Sequence, residues 1–215
     1  MRGLVAPDSF IPAAEELGLI SQIGEMVLAR ACAEATHWPA SIKVAVNLSP
    51  AQFANRSIVS QVIDALRRSG LSANRLEIEI TESLLLQESE HILSTLHELQ
   101  EMGVTISMDD FGTGYSSLSY LRKFPFKKVK IDKSFIHELS DNPESAAIVH
   151  AILELCRKLG IKTTAEGVES EQQLAWLEAA GCVEAQGFLF SEARPAAELL
   201  LLFRPGFNAL LEATA

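Results

Sequence analysis

Two adjacent carboxylates and a glycine-rich turn stand together in the stretch Ser107-Met108-Asp109-Asp110-Phe111-Gly112-Thr113-Gly114-Tyr115-Ser116-Ser117. The apolar, β-branched run Val104-Thr105-Ile106 leads into them and places the pair at the carboxyl end of a strand. Two acids there cost stability unless something positive sits against them. Gly112 and Gly114 let the backbone turn sharply and approach a ligand without a Cβ in the way. The tripeptide Asp110-Phe111-Gly112 also occurs at the metal site of protein kinases, but no glycine-rich nucleotide loop and no His-Arg-Asp loop accompanies it here. Other strand-like runs end in polar residues as well: Asn47, Glu79, Lys130, Glu166 and Gln186. If these strand ends converge, their carboxylates repel unless a hard divalent cation, Mg²⁺ or Mn²⁺, neutralises them. Two such ions bridged by an aspartate would activate water and support in-line displacement at phosphorus.

Composition narrows the reading further. The chain has 215 residues, 48% of them hydrophobic, which suits one well-cored domain spanning 1–215. A net charge of −10 argues against a DNA or RNA partner and against an anionic membrane surface. A phosphodiester can still bind where divalent cations supply the positive charge. Cys32, Cys156 and Cys182 are odd in number and fit neither a disulfide framework nor a zinc site, so a reducing, cytoplasmic setting is expected. The histidines are scattered over helical and loop patterns and read as structural. No signal peptide opens the chain and no apolar run is long enough to span a bilayer, which predicts no membrane contact by this domain. It could nevertheless be the cytoplasmic part of a larger, membrane-attached protein.

The elements that must position these groups alternate between strand and helix. Two helices come first, one capped at Asp8-Ser9 and running through Leu17, the next over 21–37 with Ile23, Val27, Leu28, Ala31 and Cys32 on one face. Strands are predicted over 43–48, 75–81, 104–109, 127–132, 161–166 and 182–188. Helices are predicted between them over 57–69, 89–102, 116–124, 145–159 and 169–180, and the leucine run in 196–203 reads as core packing. This alternation implies parallel strands covered by helices, in an open sheet or a barrel. An open doubly wound sheet is apolar on both faces. Here period two leaves one face polar in strand after strand, as in Glu77-Glu79-Thr81 and Lys128-Lys130-Asp132. A barrel with chemistry at the carboxyl ends of its strands accounts for that better. The expected fold class is therefore α/β, a modified (β/α)8 TIM-type barrel. Six strands are counted where closure needs eight, so the first two are expected to precede this chain.

With these residues in place, the sequence resembles the EAL domain family of bacterial cyclic di-GMP phosphodiesterases. The resemblance rests on Phe10-Ile11-Pro12, Asn47-Leu48-Ser49, Glu79-Ile80-Thr81-Glu82, Asp109 through Ser117, Lys130-Ile131-Asp132, Ala165-Glu166-Gly167-Val168-Glu169 and Gln186-Gly187-Phe188. It implies two catalytic ions, Mg²⁺ or Mn²⁺, held by Asn47, Glu79, Asp109, Asp110 and Glu166. Lys130 would orient the attacking water, and Glu82 would hold the Asp-Asp loop. Gln186 would arrange water and metal and contact the substrate, and Asp132 would support the lysine and the substrate. The implied activity is hydrolysis of cyclic di-GMP to linear pGpG in second-messenger signalling. The implied partners are cyclic di-GMP and upstream sensory or regulatory domains, with a homodimer left open. The Glu-Ala-Leu signature itself is absent and is expected upstream of Met1. In the segment 191–195 the family's Arg-Pro pair is out of register. An alternative is therefore an impaired domain that acts as a cyclic di-GMP receptor or protein-interaction module.

Overall fold

A computed structural model of the chain describes residues 5–53, 57–85, 89–113, 121, 123–139 and 141–202. Its six strands are β1 (Val44–Leu48), β2 (Leu76–Thr81), β3 (Thr105–Phe111), β4 (Lys128–Ile131), β5 (Lys162–Ala165) and β6 (Glu184–Ala185). They form one sheet in chain order. The pairs β1–β2, β3–β4, β4–β5 and β5–β6 are all parallel. A parallel sheet in chain order needs a crossover between each pair of strands, and helices supply most of them. The alternating pattern in the sequence predicted this arrangement, and all six expected strands are present.

The chain divides into two compact units. The first comprises Met1–Thr36 and Lys43–Ile106. It holds α1 (Ile11–Glu16), α2 (Ile20–Ala35), β1, α3 (Pro50–Phe53), α4 (Ile58–Ser69), β2, α5 (Glu82–Leu85) and α6 (Glu90–Glu101). Its core joins Leu28 and Cys32 of α2, Ile58 and Val62 of α4, Leu76, Ile78 and Ile80 of β2, and Leu96 and Leu99 of α6. Arg75 donates from Nη2 to the Ala35 carbonyl (2.8 Å), satisfying an acceptor at the end of α2 that has no partner within the helix.

The second unit comprises His37–Ile42 and Ser107–Ala215. It contains β4, α7 (Lys133–His137), α8 (Pro143–Leu159), β5, α9 (Glu171–Ala179), β6 and α10 (Ala196–Leu202). Val129, Ile131, Ile136, Val149, Leu153 and Cys156 form its core, with Phe124 packed edge-on to Phe126 at 4.7 Å. Helix α9 begins with a capping box: Ser170 accepts from Gln173 N while the Gln173 side chain accepts from Ser170 N. The Gln173 amide also donates to Ile136 O (3.1 Å), which fixes α9 against α7.

Several expectations need correction. Asp8 and Ser9 do not cap a helix through Leu17; they lie in a 3-10 turn (Pro7–Ser9), and α1 starts only at Ile11. On α2 the buried stripe is Ile20, Gly24, Leu28, Cys32 and Ala35, while Val27 is exposed. Period 3.6 fits both stripes, and packing against α4 and β1 selects this one. Helix α8 begins two residues before its expected start, because Asn142 accepts from the amides of Glu144 and Ser145. In α10, Leu200 is exposed and does not pack as core. On β1, Ala45 and Asn47 are exposed, whereas on β2 both Glu77 and Glu79 are buried. Most of the expected helix over 116–124 lies outside the described residues. No helix among the described residues is long and apolar enough to cross a membrane.

Candidate metal centre

Adjacent residues of a regular strand point to opposite faces, so an Asp-Asp pair should split across the sheet. Here it does not. Met108 lies opposite Val129, but Phe111 lies opposite Ile131, so β3 spends one more residue than β4 over the same interval. This is a β-bulge, and its two residues are Asp109 and Asp110. Asp110 has φ 54°, the one non-glycine residue with positive φ among the described residues. Aspartate tolerates that region better than most side chains do. The Asp110 amide donates to Asp109 Oδ1 (3.1 Å), and the Thr113 hydroxyl donates to Asp110 O (2.9 Å). The bulge turns both carboxylates to one side. With Glu166 they form a cluster in which one oxygen from each acid lies within 4.8 Å of the others.

Glu166 follows directly on β5, and its amide donates to Ile131 O (3.1 Å). Gln186 follows directly on β6, and its amide donates to Ala165 O (2.8 Å). Strand-end hydrogen bonds thus deliver both side chains to the carboxyl edge of the sheet. Lys130, buried at 3% exposure, places Nζ 2.6 Å from Glu166 Oε1 and 3.1 Å from Asp109 Oδ1. The Gln186 amide donates to the same Glu166 oxygen (3.3 Å). Burial, followed by the charges of Asp109 and Asp132, raises the Asp110 carboxyl above its ordinary pKa, although Lys130 and Lys133 oppose the shift. Burial thus makes ionised Asp110 costly, and the neighbouring acids add to that cost. Three carboxylates with one closely held ammonium suit a hard, oxygen-seeking divalent cation.

The structure brings together five of the expected residues: Asp109, Asp110, Lys130, Glu166 and Gln186. Asp132 lies at the N-terminus of α7, where its Oδ1 accepts from the amide (2.9 Å) and the hydroxyl of Ser134. Asn47, Glu79 and Glu82 belong to the first unit. Asn47 sits opposite Glu79 across β1 and β2, and Glu82 is buried at the start of α5. The sequence reading passes over Lys133, whose charge acts on Asp110. Its place directly after Asp132 was the available signal.

Comparison with known proteins follows the same lines. Residues 1–193 match the EAL domain. The chain belongs to the EAL domain family. This EAL domain is 47% identical over 202 residues to the bifunctional diguanylate cyclase/cyclic di-GMP phosphodiesterase MucR of Pseudomonas aeruginosa, covering 92% of the chain and 30% of MucR. The solved MucR phosphodiesterase in complex with cyclic di-GMP superimposes with a TM-score of 0.90 at 46% identity, covering 93% of this chain and 83% of that one. BlrP1 of Klebsiella pneumoniae, solved with manganese and cyclic di-GMP, gives a TM-score of 0.74 at 32% identity, covering 80% and 44% of the two chains. The chain spans about a quarter to a third of the length of the curated relatives it matches.

Proposed function

We propose that this EAL domain hydrolyses cyclic di-GMP to linear pGpG with the help of bound Mg²⁺ or Mn²⁺. The observation that carries the reading is the convergence of Asp109, Asp110 and Glu166 around the Lys130 ammonium. It is supported by MucR, solved with cyclic di-GMP, and by BlrP1, solved with cyclic di-GMP and manganese or calcium. Asp109, Asp110 and Glu166 would hold a cation that polarises water and offsets charge on the phosphodiester. Asn47 and Glu79, register partners on neighbouring strands, would serve a second cation as a pair. Lys130 holds the carboxylates in place and offers a donor for the attacking water. Gln186 fixes one Glu166 oxygen and so leaves the other oriented for the cation. Hydrolysis then forms one bond from water oxygen to phosphorus and breaks one P–O ester bond, which opens the ring.

The test incubates the purified chain with cyclic di-GMP and Mn²⁺ and follows pGpG by chromatography, beside calorimetry in Ca²⁺. Expected are binding in Ca²⁺ and Mn²⁺-dependent pGpG that Glu166→Gln abolishes. Binding without any pGpG would overturn the enzymatic reading in favour of a receptor.

A further inference from the structure

Two stretches that the proposed reaction leaves without a role, helix α1 and the turn after β1, are joined by one hydrogen bond. Ser49 stands directly after β1 and two residues past Asn47. Its hydroxyl donates to Glu15 Oε1 of α1 (2.5 Å), across 34 residues of sequence. A hydroxyl held by a carboxylate at that distance makes one of the stronger side-chain hydrogen bonds. The same hydroxyl oxygen accepts from the Ala51 amide (3.2 Å), and the Ser49 amide donates to Gln52 Oε1 (3.0 Å). Ser49 and Gln52 thus cap the start of α3 reciprocally, with Pro50 at its first position.

Gln52 shows what this arrangement requires. Its side chain is buried at 3% exposure, and Nε2 finds no hydrogen-bond partner among the described residues. A Cβ on Gly24 of α2 would stand 2.1 Å from that nitrogen, so the amide lies in space that a larger residue at position 24 would take. For stability alone an apolar side chain would fill the place better. What the glutamine supplies there is Oε1, the acceptor for the Ser49 amide. Asn47 gains from a turn held so firmly. Strand β1 lies at one end of the sheet and pairs on its β2 side among the described residues. The Asn47 side chain is exposed, opposite Glu79, so its direction follows the backbone that carries it. Just beyond Leu48 that backbone is fixed by the Ser49 hydrogen bonds.

We propose that Glu15 and Ser49 are positioning residues for Asn47: α1, through one hydrogen bond, fixes the backbone that aims the Asn47 amide at a cation. The proposal rests on the reading of Asn47 and Glu79 as a second cation pair, and the centre at Asp109, Asp110 and Glu166 serves as the internal reference. Calorimetry on the full chain follows Mn²⁺ binding to wild type, Asn47→Ala, Glu15→Ala, Glu15→Gln, Ser49→Ala and the variant with alanine at both 15 and 49. Wild type should bind two Mn²⁺, and Asn47→Ala marks which of the two depends on Asn47. Glu15→Ala and Ser49→Ala should each weaken that one about tenfold, the lower range for a residue supporting a metal ligand, and leave the other within about twofold. Glu15→Gln keeps an acceptor oxygen at the same reach and should stay within about threefold of wild type. The double variant should be no weaker than Ser49→Ala, because both changes remove the same bond. A merely structural role would instead lower both affinities together, in step with the urea midpoint. Wild-type affinities in Glu15→Ala, additive losses in the double variant or a Glu15→Ala chain that does not fold overturns the proposal and leaves the cation pair standing. If Ser49→Ala alone fails to fold, the two Glu15 variants decide by the same criteria. A wild-type chain that binds one Mn²⁺, or two that Asn47→Ala leaves unchanged, overturns the reading of Asn47 as a ligand and this inference with it.

Discussion

Asp109 and Asp110 are neighbours in one strand, yet their carboxylates meet on one side of it because the bulge between Met108 and Phe111 places Asp110 at φ 54°. Charge and backbone can therefore be separated at this position. Asparagine tolerates the left-handed region, whereas a β-branched residue does not. Asp110→Asn should lower Mn²⁺ affinity about tenfold with the urea midpoint unchanged. Asp110→Val should lose both affinity and about 1–2 kcal/mol of stability. Equal stability of the two variants would show that the backbone strain is absent.

Lys130 makes opposite demands on binding and turnover. Its ammonium lies 2.6 Å from Glu166 and 3.1 Å from Asp109, so it competes with any cation for those oxygens. Lys130→Met should leave Mn²⁺ binding equal or tighter. It should also reduce pGpG formation about 100-fold or more, since misplacing a reacting water by about 1 Å costs that much. A drop of less than about tenfold in turnover would remove the lysine from the reaction.

Much of this was legible in the sequence, and the failures have physical causes. Five of the six strands could be read because each carries β-branched residues, and the site residues because most sit at or just beyond the carboxyl end of a strand. The bulge could not be read, since a register shift depends on the partner strand and not on the segment that carries it. Strand β6 was expected over 182–188 but spans Glu184–Ala185 alone, because Gly187 lies against the backbone of Val168 and turns the chain away. Val27 has the right period for a core position and is exposed. Periodicity fixes a stripe only to within one position, and the neighbouring helix decides which.

Glu184 accepts from the Thr164 hydroxyl (3.2 Å) and lies 2.7 Å from Lys128 Nζ, and this pair makes a pH prediction whose sign follows from the carboxylate. Its carboxyl is held below the model-peptide value of 4.5, so the folded chain binds that proton less readily than the unfolded chain. Its contribution to stability is present above that value and lost as pH falls through the lower folded one. The melting-temperature deficit of Glu184→Gln should be largest near neutral pH and fade in acid. A deficit that is constant down to about pH 3 would mean packing, not charge, is lost.

Burial sets the reactivity of two cysteines. Cys32 and Cys156 are fully buried, and burial pushes each thiol up to about 11. At pH 8 only about one thiol in a thousand is then ionised, and the thiolate is the reactive form. In the folded chain both should resist iodoacetamide for hours, while unfolding in urea exposes them at once. Mass spectrometry of the alkylated peptides reads this directly. Rapid labelling of either residue in native buffer would place it outside the core.

Gly187 offers the sharpest link between backbone packing and the metal centre. A Cβ built there would stand 2.2 Å from Val168 O and 2.3 Å from Val168 N, both backbone atoms that cannot swing aside. The same stretch is clamped by hydrogen bonds from Val168 N to Gln186 O and from Leu189 N to Val168 O, each 3.0 Å. A methyl group must therefore move the chain immediately after Gln186 and pull its amide off Glu166. Gly187→Ala should cost about 2–3 kcal/mol, at the upper end for overpacking, and weaken Mn²⁺ binding severalfold. Gly181→Ala is the control. Its φ of 85° strains an alanine, but nothing lies within 4 Å of the new Cβ. It should cost about 1 kcal/mol and leave Mn²⁺ affinity unchanged. Measured side by side in urea and by calorimetry, the two variants separate a steric push on the site from strain alone. Equal Mn²⁺ affinities would show that Gln186 keeps its place by other means.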